Sequence, residues 1–158
     1  MTSVSRTGST PAPPEAVWNA LANFGAIGVW APNVDHSCLL TEQQSGVGTA
    51  RRIQTGRTTL VETVTEWTPP EDDEPGVLSY RLDGLPKIVR SVTNSWRLTP
   101  TGDGTAITLT STVDAGTRPP QKLIARAVGR RLAAASDEMI AGLTAHVTDP
   151  ATDPENRP

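Results

Sequence analysis

The sequence predicts an α+β fold: a curved antiparallel sheet of about seven strands, two short helices after the first strand, and one long C-terminal helix. Three observations carry this. Between Val34 and Val113, strand-like segments alternate with turns, most of them marked by glycine. Ile124, Val128, Leu132, Ala135, Met139, Leu143 and Val147 recur at steps of three and four, an apolar helical stripe. Val17, Trp18, Leu21 and Phe24 form a shorter stripe behind Pro13-Pro14-Glu15.

Thr2 to Thr10 forms the first strand. Pro13-Pro14-Glu15 opens a short helix, because proline is tolerated in a first turn and an acid is favoured near a helix N-terminus. Gly25 to Trp30 is a second short helical piece, stopped by Pro32. Strands follow over Val34 to Thr41, Thr49 to Thr55, Thr58 to Trp67 and Val77 to Leu82, with turns at Gly46–Gly48 and Gly56-Arg57. Pro69 to Gly76, PPEDDEPG, is a solvated loop. Asp83-Gly84-Leu85-Pro86 leads to a strand over Val89 to Thr99, which turns through Thr101-Gly102-Asp103-Gly104 into Thr105 to Val113. The final helix runs from about Pro119 or Pro120 to Val147, so about 28 residues span roughly 40 Å. Only a broad curved sheet covers such a face, and that geometry leaves an apolar cavity between helix and sheet.

A chain of 158 residues with 36% hydrophobic and 20% charged residues fits one domain, residues 1–147, followed by a disordered tail, 148–158. The net charge of -3 argues against a nucleic-acid partner. One cysteine cannot close an internal disulfide, and no Cys/His spacing reads as a metal site. No glycine-rich phosphate loop sits at a strand–helix junction, so no cofactor is expected. MTSVSRTGST lacks the apolar stretch of a signal peptide and no apolar run is long enough for membrane insertion, which gives a cytoplasmic expectation. Open sheet edges admit a monomer or a homodimer.

The element order resembles the helix-grip fold of the START/Bet v 1-like (SRPBCC) superfamily, and within it the bacterial polyketide cyclase/dehydrase-type branch. PPEAVWNALANFGAIGVWAP, GVGTARRI, LVETVTEW, VLSYRLDGLP and SVTNSWRLTPTGDGTAITL carry the likeness, over nearly all of Thr2 to Val147. A more distant similarity is to the plant abscisic-acid receptors. Ser37-Cys38 matches their Ser-Cys pair, which puts His36 at an anchoring-lysine position. Gly48 and Arg51 match a turn exit, Glu62 a pocket glutamate, and Ser91-Val92 a Ser-Val pair; Val89 stands at a tyrosine position and Leu109 at that of a second acid. The resemblance implies a small hydrophobic partner, such as a lipid or polyketide, held in the cavity. The alternative it implies is a cofactor-independent aromatase/cyclase, which needs a proton acceptor and donor near an enolisable carbonyl.

Candidate residues follow from strand alternation. Leu60, Glu62 and Val64 share one face, and a glutamate between aliphatics on an inner face would anchor a ligand or act as acid or base. The opposite facing, with Val61, Thr63 and Trp67 inward, fits the pattern nearly as well. Arg51 shares a face with Ile53, within reach of Glu62 or of a ligand oxygen, or else forms an ordinary surface ion pair. Tyr80 alternates with Leu78 and Leu82, which puts its ring inside. Over Val89 to Thr99, apolar content favours Val92, Trp96 and Leu98 inward, whereas the receptor likeness favours Val89 and Ser91; a bulge would reconcile them. The remaining cavity candidates are Trp30, Leu82, Leu109 and Ser111, with Ile124, Val128 and Leu132 from the helix. Arg126, Arg130 and Arg131 read as a solvated helix face.

WAPNVDHSC, residues 30–38, gathers an acid, an imidazole, a hydroxyl and a thiol. Strand alternation divides them: Asp35 and Ser37 on one side, Val34, His36, Cys38 and Leu40 on the other, so no triad forms. The expectation is that His36 is a polar group on the cavity wall and Cys38 a buried structural thiol. Candidate catalytic groups are therefore Glu62 and His36 as base, with Tyr80 or Arg51 polarising an oxygen.

Overall fold

The computed structural model describes residues 1–149. Its elements are β1 (Thr2–Thr10), α1 (Pro14–Ala22), a 3-10 helix (Phe24–Val29), β2 (His36–Leu39), β3 (Ala50–Thr55), β4 (Thr58–Thr68), β5 (Gly76–Asp83), β6 (Ser91–Thr101), β7 (Gly104–Asp114) and α2 (Pro119–Thr148). The seven strands form one antiparallel sheet in the order β1-β7-β6-β5-β4-β3-β2. Thr148 ends α2 rather than starting a tail, and residues 150–158 of the expected tail lie outside the described residues.

Proline opens both α-helices without a side-chain cap on α1, because its missing N–H falls among donors that a first turn leaves unpaired anyway. β2 is half the expected length. Asn33 and Pro32 stay in a turn, and Val34 N bonds Ala31 O inside it. Gly84 makes the β5–β6 turn at φ 102°, where a side chain would stand 2.9 Å from Thr59 O.

β4 carries a bulge between Val64 and Glu66, which changes its parity midway. Glu62 and Val64 are buried, and beyond the bulge Trp67 comes half-buried against Trp18, ring centroids 5.3 Å apart. The two facings that compete in the sequence thus both occur, one on each side of the bulge. β6 needs no such device. Its register with β5 and β7 is unbroken, and Val92, Asn94, Trp96 and Leu98 all point inward.

α2 lies along β1 and β7. Its buried residues are Ala125, Gly129, Ala133 and Ser136 toward the N-terminal half, then Met139, Ile140 and Leu143. Small residues let the helix come close: an added methyl at Gly129 would meet Thr2 Cγ2 at 3.6 Å. Ile124, Val128 and Leu132 flank this face and are half-buried, so the stripe expected to cover the sheet is rotated by about one residue. On the convex side, hydroxyls pair across strands, Ser5 with Thr110 at 2.8 Å and Ser79 with Ser95 at 2.8 Å.

The concave side is filled where the cavity was expected. Trp30 packs edge-on against Trp96 at 5.9 Å and Phe24 against Tyr80 at 5.6 Å. Tyr80, Val64, Trp96, Leu109 and Ser111 are each 1% exposed or less, so none borders a space that admits water. Among the described residues, no helix is long and apolar enough to cross a membrane.

Candidate functional site

Cross-strand register builds a polar cluster inside this apolar core. Arg51 on β3 stands opposite Glu62 on β4, and Glu62 opposite Leu82 on β5. One row along, Val64, Tyr80, Asn94 and Ser111 line up across β4, β5, β6 and β7. Arg51 Nε donates to Glu62 Oε2 at 2.6 Å, and Nη1 donates to the Phe24 carbonyl at 2.9 Å. The guanidinium lies 3.7 Å from the Phe24 ring centroid and 4.8 Å from that of Tyr80, so the cation sits in the corner between two aromatic rings. Both members of the ion pair are 3% exposed.

Trp96 Nε1 donates to the Tyr80 hydroxyl at 3.2 Å. Ser111 Oγ donates to Asn94 Oδ1 at 2.6 Å. Burial pushes the Tyr80 hydroxyl up to about 12, the nearby Glu62 charge adds to this, and Arg51 opposes it. Tyr80 is therefore a neutral proton donor at any physiological pH. Its oxygen already accepts from Trp96, so its own proton is what it offers.

Trp30 caps the short 3-10 helix with its indole in the core. Its Nε1 is buried and makes no hydrogen bond among the described residues. Asn33 Oδ1, in the turn that follows, is likewise buried and unpartnered. Among the described residues the unspent buried capacity is thus one donor, the Trp30 indole N–H, and one acceptor, Asn33 Oδ1.

Of the residues singled out in the sequence, Arg51, Glu62, Tyr80, Ile53, Val64, Leu82, Leu109, Ser111 and Trp30 are all buried. The others differ from expectation. His36 and Cys38 face solvent, while Ser37 turns inward, its Oγ accepting from Gly28 N at 3.0 Å and donating to Gly25 O at 2.8 Å. Val34 is buried from a turn rather than from the strand, so it cannot set the strand's parity. Ser91 is exposed at the first position of β6, and Val89 is half-buried in the preceding loop. Leu60, with Ile124, Val128 and Leu132, is half-buried. His36 is consequently absent from the cluster around Glu62. Sequence reasoning missed Phe24 as a cation partner and Asn94 as a polar link. Asn94 carried a signal, since it alternates with Val92 and Trp96; Phe24 meets Arg51 only through the fold.

A curved antiparallel sheet closed by a long C-terminal helix, with a buried polar cluster on its concave side, defines a helix-grip protein. The chain belongs to the polyketide cyclase / dehydrase and lipid transport family, whose sequence profile matches residues 1–148. Solved structures share the fold at low identity. The Zhui aromatase/cyclase from Streptomyces sp. R1128 is 21% identical, with 92% of this chain and 95% of that chain covered and a TM-score of 0.66. A protein from Thermobifida fusca is 23% identical over 92% of each chain, with a TM-score of 0.69. Ara h 8.0201, a Bet v 1 allergen, is 14% identical, with 92% of this chain and 97% of that chain covered and a TM-score of 0.68. A search of curated protein sequences finds no match.

Proposed function

We propose that the protein binds a small apolar molecule bearing oxygen acceptors, such as a polyketide or a related lipid-like carbonyl compound, between the sheet and α2. The observation that carries this is the unspent donor capacity of the core. Trp30 Nε1, which is unpartnered, and the Tyr80 hydroxyl, whose oxygen already accepts from Trp96, offer protons in a setting otherwise built from aliphatic and aromatic side chains. A buried N–H without a partner costs about 1–3 kcal/mol, which a ligand carbonyl recovers. A buried ion pair is seldom a stabilising choice over aliphatic residues, so Arg51 and Glu62 support a recognition role. Entry requires the core to open, and the half-buried Leu60, Leu85, Val89, Ile124 and Val128 are where packing gives way most readily.

The second reading is a cyclase, and one observation favours it: Tyr80, a protonated hydroxyl, lies beside a carboxylate and a guanidinium. It ranks second because Glu62 Oε2 is committed to Arg51, and His36, the expected second base, faces solvent.

The test is a thermal-shift screen with polyketides, fatty acids and flavonoids on the native chain and Glu62→Gln, with quenching of the core tryptophans as an independent readout. Carbonyl-rich compounds should stabilise the native chain and lose most of that effect in Glu62→Gln. A ligand that stabilises both equally removes Glu62 from the account, and turnover of a linear polyketide would move the cyclase to first place.

A further inference from the structure

One end of the sheet collects the β3–β4 turn, the β5–β6 loop, the β7–α2 junction, the N-terminus and the first turns of α2. The contacts there are direct: Arg90 N bonds Asp114 O at 2.7 Å, and Met1, Thr2, Gly116, Lys122, Ala125 and Arg126 line one cleft of about 230 Å³. This end is basic. Arg57, Lys87, Arg90, Arg118, Lys122 and Arg126 are all exposed on it, and Lys122, Arg126 and Arg130 recur every fourth residue as a row along α2, behind Arg118 at its N-cap. The helix N-terminus adds its own partial positive charge. Its acids are engaged locally: Asp83 with Arg81 at 3.3 Å, Asp35 with Gly56 N at 2.7 Å, and Asp114 with Gly116 N at 2.9 Å. The opposite end is acidic, with Glu71, Asp72, Asp73 and Glu74 in the β4–β5 loop and Asp103 in the β6–β7 turn. A chain of net charge -3 is therefore strongly polarised along its strands.

Large aliphatic side chains protrude among these cations. Met1, before β1, is 88% exposed, Leu123 in α2 65% and Ile88 in the β5–β6 loop 53%. From these positions we propose that this end docks peripherally on an anionic lipid surface, basic residues among the headgroups and the three aliphatic tips in the shallow acyl boundary. Charge complementarity selects an anionic partner, since basic clusters next to a negatively charged membrane are drawn to it within a Debye length. The aliphatic tips select lipid over an acidic protein. Leu123 and Ile88 do not line the cleft that Met1 borders, and a bilayer surface yields to such scattered apolar tips. The inference concerns the outer surface and does not depend on what the core binds.

The experiment is co-sedimentation of the full chain with vesicles of phosphatidylcholine alone and with about 30 mol% phosphatidylglycerol. Binding is expected on the anionic vesicles only, and is abolished by about 0.5 M salt because the charges are exposed. Lys122→Glu with Arg126→Glu should weaken it at least about tenfold, and Leu123→Gln, which leaves charge unchanged, several-fold. Arg52→Glu with Arg97→Glu removes the same charge from the convex face and should bind like the native chain. Circular dichroism checks that each variant is folded. Equal binding to both vesicle types, equal loss from the convex-face variant, or native binding by Leu123→Gln overturns the proposal. So does binding to poly-glutamate with no binding to vesicles, which assigns the surface to an acidic macromolecule.

Discussion

Arg51 and Glu62 face each other across β3 and β4 with Nε and Oε2 2.6 Å apart, and neither side chain is more than 3% exposed. The desolvation of two ions is offset only while both are present, so removing one leaves an uncompensated buried charge. Glu62→Ala is expected to destabilise by about 3–5 kcal/mol, whereas the double replacement Arg51→Met with Glu62→Leu should fall between neutral and stabilising. Urea denaturation of the single and double variants measures both. A double variant as unstable as the single one would mean that the pair supports the fold rather than a ligand.

Tyr80 is the only tyrosine, so its ionisation can be followed alone by tyrosinate absorbance. Its folded value, about 12, lies above the ordinary 10.0, which means that the folded state keeps a proton the unfolded chain gives up. The stabilisation is fully present below pH 10 and is lost as pH rises from 10 to 12, at about 1.4 kcal/mol per unit. Denaturant midpoints should therefore fall across that window by about 2–3 kcal/mol in total, and Tyr80→Phe should remove this part of the fall. Titration of Tyr80 with an ordinary midpoint in the native protein would contradict its burial.

Ser37 and Cys38 test which way β2 faces. Ser37 Oγ ties Gly25 O and Gly28 N of the 3-10 helix to the edge strand, so Ser37→Ala should cost about 1–2 kcal/mol in chemical denaturation. Cys38 is exposed and should react completely with a thiol reagent in the native protein, while Cys38→Ser leaves stability within about 0.5 kcal/mol. Slow labelling that needs denaturant would restore the buried thiol.

The inversion of this strand shows where the sequence was legible and where it was not. Alternation fixed β7 and β5, because one face is aliphatic and the other hydroxylic or charged. In β2 both faces are mixed: His36 and Cys38 against Ser37 and Leu39, and a hydrophobic pattern cannot choose between them. The turn glycines made the hairpins readable. The bulge in β4 was not, since nothing local to Val64-Thr65-Glu66 requires it, yet it reconciles Glu62 and Trp67 on the concave side. The polar cluster was half legible: Arg51, Glu62 and Tyr80 follow from spacing, but Phe24 and Trp30 reach them only through the path of the 3-10 helix. α2 misled for a physical reason. Close approach to β1 requires small residues, and Gly129 and Ala133 do not register as a buried face beside Val128 and Leu132.

That close approach gives two glycines in one helix opposite expectations. Glycine inside a helix costs about 1 kcal/mol relative to alanine, so replacement by alanine stabilises wherever the methyl group fits. At Gly129 the added carbon would stand 3.6 Å from Thr2 Cγ2 and 3.7 Å from Val4 Cγ1, ordinary contact distances. Gly129→Ala should therefore raise stability by up to about 1 kcal/mol. At Gly142 the same carbon would run into the Trp30 carbonyl oxygen and come within 2.7 Å of Pro32 Cδ. The backbone there cannot yield without moving Trp30 off Trp96, so Gly142→Ala should destabilise by about 1–3 kcal/mol despite the gain in helix propensity. Thermal melts of the two variants, with tryptophan emission as a second signal, separate the cases. Gly142→Ala should shift the emission by disturbing Trp30, and Gly129→Ala should leave it unchanged. A stabilised Gly142→Ala variant would show that α2 does not press on the turn that carries Trp30.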